Sequence, residues 1–298
     1  MVAKKRLRYF LHTRGRIDNQ KTLAQLPPEI INRTYMVCDS YEYKAHQKAF
    51  GKLFTLQGAR SVSKQNNGIL SFKNDKNTRD IYLAHKRRWI VDYCIRYGID
   101  YMILLDDDLT FWRRNEEGKL RKVTGKKLLE GFVVLRQWLD AGYGMVGFSA
   151  IELNRSSPGK DFLDNTRIMR VLGFNVEVLK EKKINFELLP TMEDFDINLQ
   201  ILKAGHDNRC LYTFASSHKG SNEPGGCALY RGPVEHEWSA RRLQELHGAN
   251  IVKVMKKKTA KPWPGYSSKY RIDVTVSWKK AREVGRAASK TKTIRDFF

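Results

Sequence analysis

The chain has 298 residues with 55 Lys and Arg against 32 Asp and Glu, a formal charge of +23, and 41% hydrophobic and 11% aromatic residues. This composition excludes wholesale disorder and suits one large domain or two small ones. Four widely spaced cysteines without a CxxC pair, Cys38, Cys94, Cys210 and Cys227, argue against a disulfide scaffold and for reduced, cytoplasmic thiols; no signal peptide is expected, because Tyr9-Phe10-Leu11 is broken at once by His12 and Arg14, and no membrane span, because no stretch approaches the roughly 20 apolar residues one needs.

Strand-like and helix-like runs alternate over the first 110 residues. Residues 7–12 read as a strand, 19–26 as a short helix stopped by Pro27-Pro28, and 34–38 as a second strand. Residues 41–50 then read as a helix closed by Gly51, and 53–56 as a third strand. The clearest helix is 78–97, where Leu83, Ile90, Cys94 and Tyr97 share one face and Gly98 follows. Tyr101-Met102-Ile103-Leu104-Leu105 is a continuous apolar run, as expected of a central strand covered on both sides. This rhythm predicts an α/β fold, a mostly parallel sheet between helix layers whose first third is Rossmann-like. Farther along, 144–150 reads as a strand, 171–179 as a strand or hairpin arm, and 191–204 as a helix capped by Thr191. A Ser, Gly, Asn and Pro-rich loop follows at 216–226, then a helix at 235–246 and an exposed strand at 271–278.

The charge is concentrated in two places. Residues 253–298 hold 14 Lys and Arg against 3 Asp and Glu, and Lys256, Lys257, Lys258, Lys261, Lys269 and Arg271 are interleaved with Trp263, Tyr266, Tyr270 and Trp278. Lysines grip phosphates and aromatic faces stack on exposed bases, although a solvated tail accounts for the same run. Arg113, Arg114, Lys119, Arg121, Lys122, Lys126 and Lys127 form a second cluster. Two separate basic surfaces favour a long polyanion over a small anionic metabolite.

The most specific chemical signal is Asp106-Asp107-Asp108, directly after the apolar run. In an open α/β sheet ligands bind beyond the carboxyl ends of the strands, and three adjacent acids in a cationic chain are best explained by a bound Mg²⁺ or Mn²⁺; the bland alternative is a solvated acidic turn. On the long helix, Arg87 falls within the apolar stripe and Lys86 lies beside it. A cation on a buried face needs a partner, either a diphosphate or a nearby aspartate, unless its side chain snorkels to solvent. Three acids, Glu193, Asp194 and Asp196, open the helix after Thr191. The macrodipole favours each by roughly 0.3–1 kcal/mol and Thr191 with Asp194 resembles a capping box, but three acids in four residues leave room for a catalytic base. His218, in the Gly/Ser/Asn loop, is free to approach a metal, whereas His206, His236 and His247 read as helix-end or surface residues. A zinc site from His206, Cys210, His218 and Cys227 fits no familiar spacing.

Taken in order, Thr13-Arg14-Gly15-Arg16 after the first strand, Cys38-Asp39 after the second, the Lys86-Arg87-Arg88-Trp89 helix, the Asp-Asp-Asp strand end, the Glu-Asp helix start and the loop histidine resemble the GT-A glycosyltransferases over roughly residues 6–235. More narrowly, the Lys-Arg-Arg-Trp segment, the Leu-Leu-Asp-Asp-Asp-Leu run and the basic surface resemble the TET-associated glycosyltransferases of bacteriophages, a family implicated in adding sugars to oxidised pyrimidines in DNA. The resemblance implies a GT-A transferase domain over 1–235, with a nucleotide-sugar half at 1–110 and an acceptor half at 111–235, and a basic extension at 236–298. It implies a UDP-sugar donor held by Thr13, Arg14, Asp39, Lys86, Arg87, Asp106 and Asp107, and a divalent metal, Mn²⁺ or Mg²⁺, on Asp106, Asp108 and His218. By the same resemblance Glu193 and Asp194 are the paired acids near the acceptor, with Asp194 the general base of an inverting enzyme. Arg113, Arg114, Lys256, Lys257, Lys258, Lys261 and Trp263 are the DNA contacts expected from charge. Arg88 stands where many relatives carry Asn. The leading expectation is transfer of a sugar onto a hydroxyl of a modified DNA base such as 5-hydroxymethylcytosine. The alternatives are a GT-A enzyme acting on a glycan or protein, and a non-catalytic nucleic-acid-binding protein.

Overall fold

The computed structural model describes residues 5–56, 68–73, 83–155, 159–218, 232–258 and 268–295. The first half runs β1 (Leu7–His12), α1 (Pro28–Ile31), β2 (Thr34–Asp39), α2 (Tyr43–Leu56), β3 (Ile69–Phe72), α3 (Leu83–Arg96), β4 (Tyr101–Asp106), β5 (Thr110–Arg114), β6 (Leu120–Lys122) and α4 (Gly125–Asp140). It continues through β7 (Met145–Ala150), α5 (Ile151–Arg155), β8 (Phe162–Asp164), β9 (Val171–Asn175), α6 (Val176–Glu181), α7 (Glu193–Lys203) and β10 (Asn208–Ser217). Past residue 231 come α8 (Pro233–His247), β11 (Val252–Lys258), β12 (Tyr270–Val276) and α9 (Trp278–Arg295).

Among the described residues one large sheet has the order β3-β2-β1-β4-β9-β7-β10-β5-β6, with β8 also on β10. The strands β3, β2, β1 and β4 are mutually parallel, β9 is antiparallel to both β4 and β7, and β10 is parallel to β7. The α/β expectation is met. After β1 the chain builds outward through β2 and β3 and then returns to the other side as β4, so the strand order reverses between β1 and β4. A crevice opens at such a switch point, beyond the carboxyl ends of the two strands.

Every residue of β4 except its last is buried, because both sheet faces are covered. One face carries Tyr9, Leu11, Ile103, Leu105, Phe111, Phe132, Leu135 and Phe148, under α4. The other carries Phe10, Val37, Ile90, Cys94, Met102, Leu104, Phe174 and Ile197, under α3, α6 and α7. Two glycines permit the close pairing of β7 with β9: a Cβ on Gly147 would lie 2.2 Å from the Val171 carbonyl oxygen, and one on Gly173 would lie 2.8 Å from Val146.

A third apolar cluster joins α7 to the C-terminal elements through Leu199 and Leu202 of α7, Ala240 and Leu243 of α8, Val252 of β11 and Ala281 of α9. β11 and β12 form a separate two-stranded antiparallel sheet. α9 crosses the end of α7 at Gly285, where a Cβ would sit 2.1 Å from the Leu202 carbonyl oxygen, and Arg282 forks onto Asp207 at 2.6 and 3.1 Å.

Several local expectations are corrected. The helix expected at 19–26 is only a single turn at Leu23–Gln25. Its polar side chains tie it to the loop after β4 instead: Thr22 Oγ1 donates to the Asp106 carbonyl at 2.6 Å and Gln25 Nε2 to that of Leu109 at 2.6 Å. The strand expected at 53–56 is the end of α2, which runs through Gly51, and the third strand is β3. The segment 171–179 divides into β9 and α6 at Asn175, whose side chain caps α6 by accepting from the Glu177 amide. Thr191 does not cap α7. Met192 occupies the N-cap in the left-handed region, at φ 63°, and Thr191 Oγ1 donates to Ser239 Oγ at 3.0 Å. The expected start of the long helix at 78–82 lies outside the described residues; α3 runs from Leu83.

Candidate active site at the sheet rim

The register of β1 on β4 sets His12 opposite Asp106, so both strands deliver polar side chains to the crevice together. His12 Nε2 lies 3.2 Å from Asp106 Oδ1. The next acids turn back toward the loop after β1. Asp107 Oδ2 accepts from Thr13 Oγ1 at 2.6 Å, and Arg16 Nη1 spans Asp107 at 2.8 Å and Asp108 at 2.9 Å. Asp39, at the end of β2 and 1% exposed, is held by Lys86 Nζ at 2.5 Å, Arg14 Nε at 3.2 Å and the Tyr41 hydroxyl at 3.2 Å. Lys86 also donates to the Thr13 carbonyl at 2.8 Å. The two helix cations read as facing the core are thus buried against carboxylates, as burial of a charge requires. Arg87 reaches farther, 2.8 Å to Glu193 on α7 and 3.5 Å to Asp106.

These partners set the charge states. Burial works to raise the Asp106 carboxyl, but the His12 hydrogen bond and the charges of His12, Arg87 and His218 hold it at about 2. Asp108 is raised, first by burial and then by Asp106 and Asp107, which Arg16 and His218 only partly offset. Burial lowers His218, with Arg170 acting the same way and Asp108, Asp106 and Glu152 against it. His218 and the acids Asp106 and Asp108 thus act on one another electrostatically. Arg170 links this corner together, on Glu152 at 3.1 Å and on the Ser216 carbonyl at 3.1 Å. Among the described residues no three His, Cys, Asp or Glu side chains are gathered closely enough to hold a metal ion. The donor kind nonetheless fits a hard cation: Asp108 is a buried carboxylate whose charge is disfavoured by burial and then by Asp106 and Asp107, the condition a divalent ion relieves. Thiolate ligation is not built here, since Cys210 is fully buried within β10 and its thiol is raised by burial; Cys227 lies outside the described residues.

The three acids of α7 point to three different parts of the molecule. Glu193 meets Arg87. Asp196, 1% exposed, accepts from Gln200 Nε2 at 2.7 Å and lies 2.7 Å from His247 Nε2 on α8. Asp194 is gripped by Arg167, with Nε at 3.0 Å and Nη2 at 2.8 Å. Both bonds fall on Oδ2, so Oδ1 carries no hydrogen bond among the described residues. A carboxylate with one oxygen anchored and one open can accept a proton. Two non-glycine residues near these acids have a left-handed backbone, Arg170 at φ 67° and Met192 at φ 63°. Such strain concentrates where a fold is held in a working geometry.

The basic residues expected to meet nucleic acid lie elsewhere. Arg113 and Arg114 line an open groove of about 500 Å³ on the β5–β6 hairpin, together with Arg121, Lys122 and Lys127. Arg113 pairs with Glu130 at 2.7 Å, and Arg114 bonds the Asn154 side chain. Lys256, Lys257 and Lys258 are exposed on β11; Lys261 and Trp263 lie outside the described residues. Arg88 pairs with Asp92 along α3, away from the acids. Sequence reasoning missed His12, Arg16, Arg167 and Arg170 as site residues. Arg16 had a signal, since it belongs to the stretch after β1, but the other three are brought in by pairing and loop geometry.

No curated protein matches the chain. Among solved structures, GalNAc-T7 with UDP, GalNAc and Mn²⁺ is 9% identical with a TM-score of 0.37, over 73% of this chain and 44% of that one, so the chain spans less than half of its length. A197 from STIV is 12% identical with a TM-score of 0.34, over 74% and 88%. A cytidylyltransferase from Leptospira borgpetersenii serovar Hardjo-bovis is 12% identical with a TM-score of 0.31, over 60% and 64%. The family comparison is of another order, since the model of the TET-associated glycosyltransferases matches residues 8–226, which include the acid triplet, the buried cations, the α7 acids and His218. The chain belongs to the TET-associated glycosyltransferase family.

Proposed function

We propose that this chain transfers a sugar from a UDP-sugar donor to a hydroxyl of a modified base in DNA, 5-hydroxymethylcytosine in the first instance, with a divalent cation bound at the sheet rim. The observation that carries this reading is the convergence of Asp106, Asp107 and Asp108 with Arg16 and the buried Arg87 at the strand-order reversal, beside the buried Lys86–Asp39 pair, in a chain of net charge +23. Asp106, Asp108 and His218 would hold Mn²⁺ or Mg²⁺, which when bound neutralises charge on the leaving diphosphate. Thr13, Arg14, Asp39 and Lys86 form the donor end, where Asp39 lies against the two cations Arg14 and Lys86 and would accept nucleoside hydrogen bonds. Asp107 orders the loop after β1 through Thr13 and Arg16. Arg87 joins that end to α7 through Glu193. Asp194 then takes the acceptor hydroxyl's proton at Oδ1 while Arg167 fixes Oδ2.

In this reading residues 1–235 are the transferase unit, with a donor half at 1–110 and an acceptor half at 111–235. Residues 236–298 hold the polyanion through Lys256, Lys257, Lys258, Lys261 and Trp263, and Arg113 and Arg114 supply a second grip. The test is to incubate the protein with Mn²⁺, a panel of UDP-sugars, and DNA with or without 5-hydroxymethylcytosine, then digest and weigh the nucleosides. One hexose added to the hydroxymethylated nucleoside alone is the expected result. Transfer to a glycan or protein with none to DNA would overturn the acceptor, and no transfer from any donor would overturn the reading.

A further inference from the structure

The C-terminal elements lie beyond residue 226, where the family match ends, yet they touch the helix that carries the candidate base. Trp278, the first residue of α9, stacks on Phe195 of α7 with ring centroids 5.9 Å apart and planes at 24°. The Arg167 guanidinium lies 3.6 Å from the centre of the Phe195 ring. Arg167 in turn donates both of its bonds to Asp194 Oδ2. Trp278, Phe195, Arg167 and Asp194 thus form one continuous column of contacts.

Both ends of the column are fixed in the fold. The loop carrying Arg167 is clamped to α7 by Asn198, fully buried, which donates to the Ile168 carbonyl at 2.9 Å and accepts from the Ile168 amide at 3.3 Å. Asn208 holds the same Asn198 oxygen at 2.7 Å. At the other end α9 is seated by the Arg282–Asp207 fork and by the backbone contact at Gly285. A cation over an aromatic face gains about 0.5–2 kcal/mol, enough to select one rotamer of a long, otherwise mobile arginine.

We propose that Trp278, Phe195 and Arg167 are positioning residues for transfer: the C-terminal helix, through this stack, sets the direction in which Asp194 presents its open oxygen. The inference rests on the proposed role of Asp194 as the base. It gives the segment outside the family match a part in the reaction that a simple polyanion grip would not have. A carboxylate aimed by a charged fork loses its aim when the fork can rotate, and displacements of about 1 Å at a reacting group cost up to about a hundredfold in rate.

The test is steady-state transfer by the full chain, comparing Trp278→Ala, Trp278→Phe, Arg167→Gln and the double variant Trp278→Ala with Arg167→Gln. Trp278→Ala is expected to lower kcat by about ten- to a hundredfold with the donor KM unchanged, and Trp278→Phe, which keeps a stacking face, to restore most of it. Because the two residues act in series, the double variant should lose no more than the worse single one. Thermal melts guard against misfolding: if Trp278→Phe melts as the wild type does and still transfers at the Trp278→Ala rate, the stack is not what matters. An unchanged kcat in Trp278→Ala, a loss confined to the donor KM, or losses that multiply in the double variant would each overturn the proposal. Those results leave wild-type transfer intact, whereas an inactive wild type overturns the proposed function and the stack with it.

Discussion

The sheet rim and the C-terminal unit handle charge in opposite ways. At the rim, Asp39, Asp107, Lys86 and Arg87 are all buried, and each is paired: Asp39 with Lys86, Asp107 with Arg16, and Arg87 with Glu193. In the C-terminal unit the contact with α7 is mostly apolar, and the lysines of β11 stay outside. A buried ion pair is seldom more stable than a well-packed apolar pair of the same size, so the rim's arrangement is not explained by stability. On the proposed function, it serves a ligand with charges of its own. The C-terminal unit docks through that apolar contact with the Asp196–His247 pair and the Arg282–Asp207 fork added, and it leaves the lysines of β11 exposed.

The largest effect that would sharpen this contrast is at Asp108. Asp108→Asn should reduce transfer by about a thousandfold, while the melting temperature holds or rises. Its folded carboxyl is raised, so above that value the charged form weighs against the fold, and a neutral amide removes this cost. A melting temperature that falls with activity would mean that the acid triplet is a structural cluster. Arg87→Met comes next. It removes the buried cation that meets Glu193 and Asp106, and urea unfolding should show a loss of about 3–5 kcal/mol; a loss under about 1 kcal/mol would mean that this cation is not what compensates the two carboxylates. The smallest effect on the fold is expected from replacing Lys256, Lys257 and Lys258 together by Ala. Stability should change by no more than about 0.5 kcal/mol per site, while the slope of DNA affinity against salt should drop by about three. An unchanged slope would remove β11 from the DNA surface and leave the β5–β6 groove as the grip.

Where the sequence was legible, one-dimensional pattern and three-dimensional role coincide. The run Tyr101 to Leu105 announces a strand buried on both faces, and a strand followed by Asp-Asp-Asp announces a charged rim. Arg87 within an apolar stripe announces a buried cation that needs a partner. Where it was not legible, local pattern was overruled by distant contacts. Residues 19–26 have helix-like composition, but Thr22 and Gln25 bond to the loop after β4. The start of α7 reads as a capping box, yet Thr191 turns to Ser239 on a helix more than forty residues later. The hairpin β5–β6 and helix α9 went unread because their sequences are dense in charge, which masks the apolar side that packs; helix α4 went unread although Leu128, Phe132, Leu135 and Leu139 recur at helical spacing.

The sequence by itself determined the α/β class, the position of the acid triplet and its proximity in kind to basic and histidine partners, because strand and helix periods and the chemistry of a residue type are local properties. Only the tertiary structure decided which acid meets which cation. Glu193, Asp194 and Asp196 look equivalent along the chain, and they become a link to α3, a base candidate and a docking point because Arg87, Arg167 and His247 arrive from three separate elements. Pairing of that kind follows from the closure of loops between remote segments, and no spacing within eleven residues of helix can encode it.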